Sequence, residues 1–81
     1  MLNGYDRYLN QHSSLSTLIG EYLKRQRHNN HLSGAELAKL MGLSQQQISR
    51  YERGMTHFNL DTLFRFFRVL NIPAQDVLFF F

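Results

Sequence analysis

The sequence predicts an all-α domain of five helices, and three observations carry that prediction. Apolar residues recur at helical spacing in two segments flanking the centre of the chain. Between them, two serine-led capping patterns open short apolar runs, and a glycine follows each run. Eighty-one residues suffice for one such domain, which the pattern assigns to residues 13–81. Residues 1–12, with Tyr5, Tyr8 and Leu9 among polar neighbours and no clear period, are expected to form an N-terminal arm or a short extra helix.

Ser13 and Ser14 can cap the first helix. Leu15, Leu18, Ile19, Tyr22 and Leu23 then fall at i, i+3, i+4, i+7 and i+8, the apolar stripe of an amphipathic helix. Gly20 lowers helix propensity by about 1 kcal/mol relative to alanine, so a close-packed neighbour is expected there. The polar stretch from Arg27 to His31 ends the helix. Ser33 and Glu36 form a capping box that opens a short helix with Leu37, Ala38, Leu40 and Met41 inward and Gly42 as its stop. Ser44 and Gln47 repeat the box, and the helix they start runs to about Arg53 and Gly54. Asn59 can cap a fourth helix with Leu60, Leu63, Phe64, Phe67 and Leu70 inward and Asp61 at its positive end. Pro73 suits the first turn of a last helix over about residues 74–79, carrying Val77 and Leu78.

Composition narrows the function. Hydrophobic residues make up 43% and aromatic residues 14%, enough for a packed core and too many for a disordered chain. With no cysteine, neither a disulfide framework nor a thiolate metal site is available. No apolar run approaches the ~18–20 residues of a membrane span, and the start Met-Leu-Asn-Gly-Tyr-Asp lacks the blocks of a signal peptide. The formal charge is +3, but residues 22–57 hold six cations against Glu36 and Glu52, so the basic character is concentrated there. Such a block fits a polyanionic partner.

Two capped helices joined across a glycine turn have the sequence form of a helix-turn-helix. With Leu37, Ala38, Met41, Gly42, Leu43, Ile48 and Tyr51 at their spacing, followed by Glu52-Arg53-Gly54, the segment resembles the helix-turn-helix of the Cro/CI-type (XRE-like) regulators. The likeness extends through Leu18-Ile19-Gly20-Glu21 and the helix of Leu60 to Leu70. It implies a lambda-repressor-like fold in which residues 45–53 are the recognition helix, entering the major groove of double-stranded DNA. On a helical wheel, Ile48 and Tyr51 point to one side, and Gln45, Gln46, Ser49, Arg50 and Arg53 share a sector of about 140° on the other. Gln pairs with adenine and Arg with guanine through two hydrogen bonds each, while Ser is permissive. Gln45, Gln46, Ser49 and Arg50 are therefore the candidate base readers, with Arg50 able to grip a phosphate instead. Gln47 divides between the cap and the DNA. Ser33, Ser44, Arg53, Thr56, His57 and Asn59 are the candidate phosphate contacts. Gly34 departs from the relatives that carry a glutamine there, so a contact at that point falls to the main chain.

The resemblance also implies that Arg27 pairs with Glu52, stapling the first helix to the recognition helix. Lys24, Arg25 and Lys39 read as solvated. His28 and His31 have no cysteine or acidic cluster beside them, so no metal is expected, and neither a cofactor nor a small-molecule substrate is called for. No catalytic constellation stands out, and the expectation is a non-enzyme in the cytoplasm, associated with the nucleoid. Phe79, Phe80 and Phe81 cannot all face inward from one helix. With Phe66 they form either a self-association surface for a homodimer on a palindromic operator or a patch that a further segment covers. The run from Gln45 to Gly54 further resembles the MrpJ-type regulators encoded with bacterial fimbrial operons, implying control of fimbriae and motility. An alternative from another class is a protein-interaction module, such as an antitoxin or adaptor, built on the same fold.

Overall fold

The computed structural model describes residues 15–80, without the side chains of Val77, Phe79 and Phe80. The arm over residues 1–12, the caps at Ser13 and Ser14, and the side chains of the terminal aromatic run lie outside the described residues. Within them are four α-helices, α1 (Leu15–Asn29), α2 (Gly34–Met41), α3 (Gln45–Glu52) and α4 (Leu60–Val69), followed by a 3-10 helix (Ala74–Phe80). The fold is all-α. The expected fifth α-helix is a 3-10 turn instead, started by the bond from the Asp76 N–H to the Pro73 carbonyl (2.9 Å) and tied to α1 by the Tyr22 hydroxyl, which donates to Asp76 Oδ2 at 3.3 Å. Burial, reinforced by the Asp76 carboxylate, raises the Tyr22 pKa and keeps its hydroxyl a donor.

Each helix ends the same way. A residue in the left-handed region follows it, at His31 (φ 57°), Gly42 (φ 70°), Gly54 (φ 73°) and Asn71 (φ 57°). The next N–H reaches back five residues, as in Leu32 to Arg27 O (3.1 Å), Leu43 to Ala38 O (2.9 Å), Met55 to Arg50 O (2.9 Å) and Ile72 to Phe67 O (2.8 Å). These Schellman closures satisfy carbonyls that the helices leave open and turn the chain sharply four times. His31, which invited a metal reading, serves here as a helix terminator, and the described residues contain no cluster of three metal-ligating side chains. No helix among the described residues is long and apolar enough to cross a membrane.

The core is Ile19 and Leu23 from α1, Leu37, Ala38 and Met41 from α2, Ile48 from α3, Leu63, Phe66 and Phe67 from α4, then Leu70 and Ile72. Two inward faces differ from expectation. On α4 the buried stripe is Leu63, Phe66, Phe67 and Leu70, while Leu60 is 71% and Phe64 42% exposed. Both stripes have helical spacing. The one that wins carries Phe66, which is 0% exposed and meets Tyr51 and Phe58 edge-on at ring-centroid distances of 5.5 and 5.8 Å. Phe66 is therefore removed from the expected dimer surface. On α2, Leu40 is 59% exposed rather than inward, because Leu37, Ala38 and Met41 already fill the contact with α3 and α4. Leu78, expected in the core, is also exposed.

Candidate nucleic-acid interface

The helix-turn-helix is assembled from α2, the turn at residues 42–44, and α3. Both capping boxes close reciprocally. Glu36 N–H donates to Ser33 Oγ (3.0 Å) and Ser33 N–H to Glu36 Oε1 (2.8 Å), while Ser44 and Gln47 repeat the same pair of distances. Each serine hydroxyl thus accepts from its own helix; the Ser33 proton also faces the Glu36 carboxylate, whereas Ser44 keeps its proton for an outside acceptor such as a phosphate oxygen. Gln47 is committed through Oε1 to the cap. Asn59 likewise spends Oδ1 on the Thr62 N–H (2.8 Å), leaving its amide N–H groups as the donors available from that side chain.

Alpha3 is held from behind at four points. Ile48 is buried, and Tyr51 packs on Phe58 and Phe66. At Gly20, a Cβ would lie 2.4 Å from the Tyr51 carbonyl oxygen and 2.7 Å from that of Glu52, so only glycine lets α1 approach the end of α3 this closely. Beside that contact, the Arg27 guanidinium grips the Glu52 carboxylate through Nε–Oε2 (2.7 Å) and Nη2–Oε1 (3.0 Å), and Nη1 donates to the Leu32 carbonyl (2.9 Å). The hydrogen bond to Glu52 outweighs burial and raises the Arg27 pKa, so the cation is permanent. A planar guanidinium satisfied on two sides fixes the roll of α3 about its own axis as well as its position.

The opposite side of α3 is polar and open. Gln45, Gln46, Arg50 and Arg53 are exposed and Ser49 is half-buried. Among the described residues, Gln45, Gln46 and Arg50 make no side-chain hydrogen bond, whereas Arg53 Nε leans back on the Ser49 carbonyl at 3.4 Å. Thr56 and His57 lie in the loop beyond, half-buried and exposed respectively. A cleft of about 210 Å³ opens beside the face, lined by Lys24, Gly34, Gln45, Ile48 and Ser49 together with Arg27 and Glu52. Lys24, read from sequence as solvated, shares that cleft with two candidate base readers. Its place depends on how α1 crosses α3, and the helical pattern around Lys24 does not show which side of α1 faces the cleft. Gly34 contributes no side chain, and the Gln45 side chain passes within 3.7 Å of where a Cβ would sit.

A second shallow groove, lined by Leu32, Glu36, Lys39 and Leu40, lies on another surface of α2. No curated protein and no solved structure matches the chain. The helix-turn-helix family model matches residues 23–77, from within α1 to within the 3-10 helix. Given that span and the geometry of α2 and α3, the chain belongs to the Cro/CI-type helix-turn-helix family of DNA-binding transcription regulators.

Proposed function

We propose that this chain binds double-stranded DNA sequence-specifically, with α3 in the major groove, and thereby regulates transcription. The observation that carries this reading is the outward face of α3. It presents Gln45, Gln46 and Arg50 uncommitted, while the inward face is anchored by Ile48, Tyr51 and Glu52. Gln45, Gln46, Ser49 and Arg50 read base edges, each good bidentate contact discriminating by about 1–3 kcal/mol. Ser33, Ser44, Arg53, Thr56, His57 and Asn59 contact phosphates, and Lys24 joins them from the rim of the cleft. Two copies occupy a palindromic operator, their α3 helices about 34–36 Å apart. A protein-interaction module would expose leucines or aromatics on α3, and glutamine and arginine stand there instead. The likeness of the run from Gln45 to Gly54 to MrpJ-type regulators supports fimbrial and motility genes as targets.

Selection of binding sites from random and genomic duplexes, at two salt concentrations, tests this. The expected result is a short palindromic motif that loses preference at particular bases in Gln46→Ala and Arg50→Ala, with genomic sites upstream of fimbrial or motility genes. Salt-sensitive binding with no motif would reduce the reading to charge attraction. A motif located elsewhere in the genome would remove only the choice of target genes.

A further inference from the structure

Gly54 to Asn59 follow the recognition helix, and this stretch meets the first turn of α1 at Gly54 and His57. Gly54 is seated so closely that a Cβ would lie 2.6 Å from the Thr17 Cα. Three residues further on, His57 Nδ1 lies 3.3 Å from Ser16 Oγ. Ser16 is 8% exposed, one of two buried polar residues among those described, while His57 is exposed. A buried serine on the side of a helix that faces a loop, bonded to one nitrogen of an exposed imidazole, leaves the other nitrogen for a partner outside the chain.

We propose that Ser16 is a positioning residue for DNA binding, holding the His57 ring so that Nε2 donates to a phosphate oxygen. The proposal rests on the reading of His57 as a phosphate contact. A phosphate oxygen only accepts, so a neutral imidazole bonded to it must carry its proton on Nε2. Nδ1 is then a lone-pair acceptor, and the Ser16 hydroxyl is the donor that it needs. When the ring is protonated, Nδ1–H donates instead to Ser16 Oγ, which accepts equally well. The hydroxyl therefore holds the ring in either charge state, and Nε2–H remains the outward donor in both. Fixing an exposed imidazole in advance also lowers the ordering cost that DNA would otherwise impose on it.

A double-mutant cycle on random-sequence duplex DNA at low salt tests the proposal, because phosphate contacts need no particular operator. Ser16→Ala keeps the small volume, so a mere packing role would survive it. Expected are roughly 5-fold weaker binding in His57→Ala, about 3-fold in Ser16→Ala, and a double variant no weaker than His57→Ala. Unchanged affinity in His57→Ala would remove the phosphate role of His57 and the proposal with it. A defect in His57→Ala with none in Ser16→Ala, or with additive losses, would overturn the Ser16 role and leave that of His57 standing. Nitrogen-15 shifts of the His57 ring in the DNA complex supply a readout independent of folding. A proton on Nε2 with Nδ1 as acceptor, or a ring protonated at both, is expected, and a neutral ring with its proton on Nδ1 would overturn the assignment.

Discussion

Arg27 and Glu52 stand 25 positions apart and meet where α1 crosses the end of α3, with 11% and 6% of their side chains exposed. Two charges at that depth lose most of their hydration, and the fork-to-carboxylate geometry offsets the loss only while both are present. Glu52→Gln leaves the guanidinium charged and unpaired. It is expected to destabilise the domain by about 3–5 kcal/mol, a large share of the stability of any small domain. Replacing both, as Arg27→Met with Glu52→Leu, is expected to cost far less, since no orphan charge remains. Urea midpoints with unchanged m-values check both variants. An equal loss in the double variant would assign the energy to the pair itself rather than to the stranded charge. This pair was legible from the motif, whereas the place of Phe66 was not. Periodicity along residues 60–70 allows two stripes, and only the Tyr51 and Phe58 rings, brought from other segments, select the one containing Phe66.

At the scale of the element, helix starts were easier to read than helix ends. Ser33, Ser44 and Asn59 are residues whose side chains mimic a backbone acceptor, and their partners three positions on are visible in the sequence. Gly42 and Gly54 announce the left-handed turns after α2 and α3. His31 and Asn71 perform the same turn after α1 and α4 without glycine, drawing on the tolerance of these residue types for positive φ, and so they read as ordinary loop residues. The two capping boxes also differ in a testable way, because one uses a carboxylate and the other an amide. The Ser33 backbone N–H, and then its hydroxyl, hold the Glu36 pKa below the usual carboxylate range. A lowered folded-state pKa contributes stability that is present above the unfolded value of about 4.3 and is lost as pH falls through the lower folded value. The stability difference between the native chain and Glu36→Gln is thus expected to be constant above about pH 5 and to shrink toward pH 3. Urea midpoints of the two proteins across that range check it, and a difference that does not change with pH would mean that the charge adds nothing to the cap.

For the whole molecule, the net charge of +3 says less than where its cations come to lie. Lys24 and Lys39 are equivalent in sequence, each an exposed lysine on an amphipathic helix. The packing separates them: Lys24 lines the cleft beside Gln45 and Ser49, and Lys39 lines the groove beside Leu40 and Glu36. That difference follows from the crossing of α1 and α3 at Gly20, where the glycine announces a close neighbour but not which lysine the crossing brings to the cleft. It predicts different salt dependence. Each phosphate neutralised on duplex DNA contributes about 0.9 to the slope of log affinity against log salt. Lys24→Gln is expected to flatten that slope and Lys39→Gln to leave it unchanged. The size of the change also reads the stoichiometry, because a single domain loses about 0.9 and a dimer on a palindrome loses about 1.8. A slope that ignores Lys24 would return this lysine to the solvated face, and the phosphate contacts of the interface would then come from the helix caps, Arg53 and the loop of Thr56 and His57.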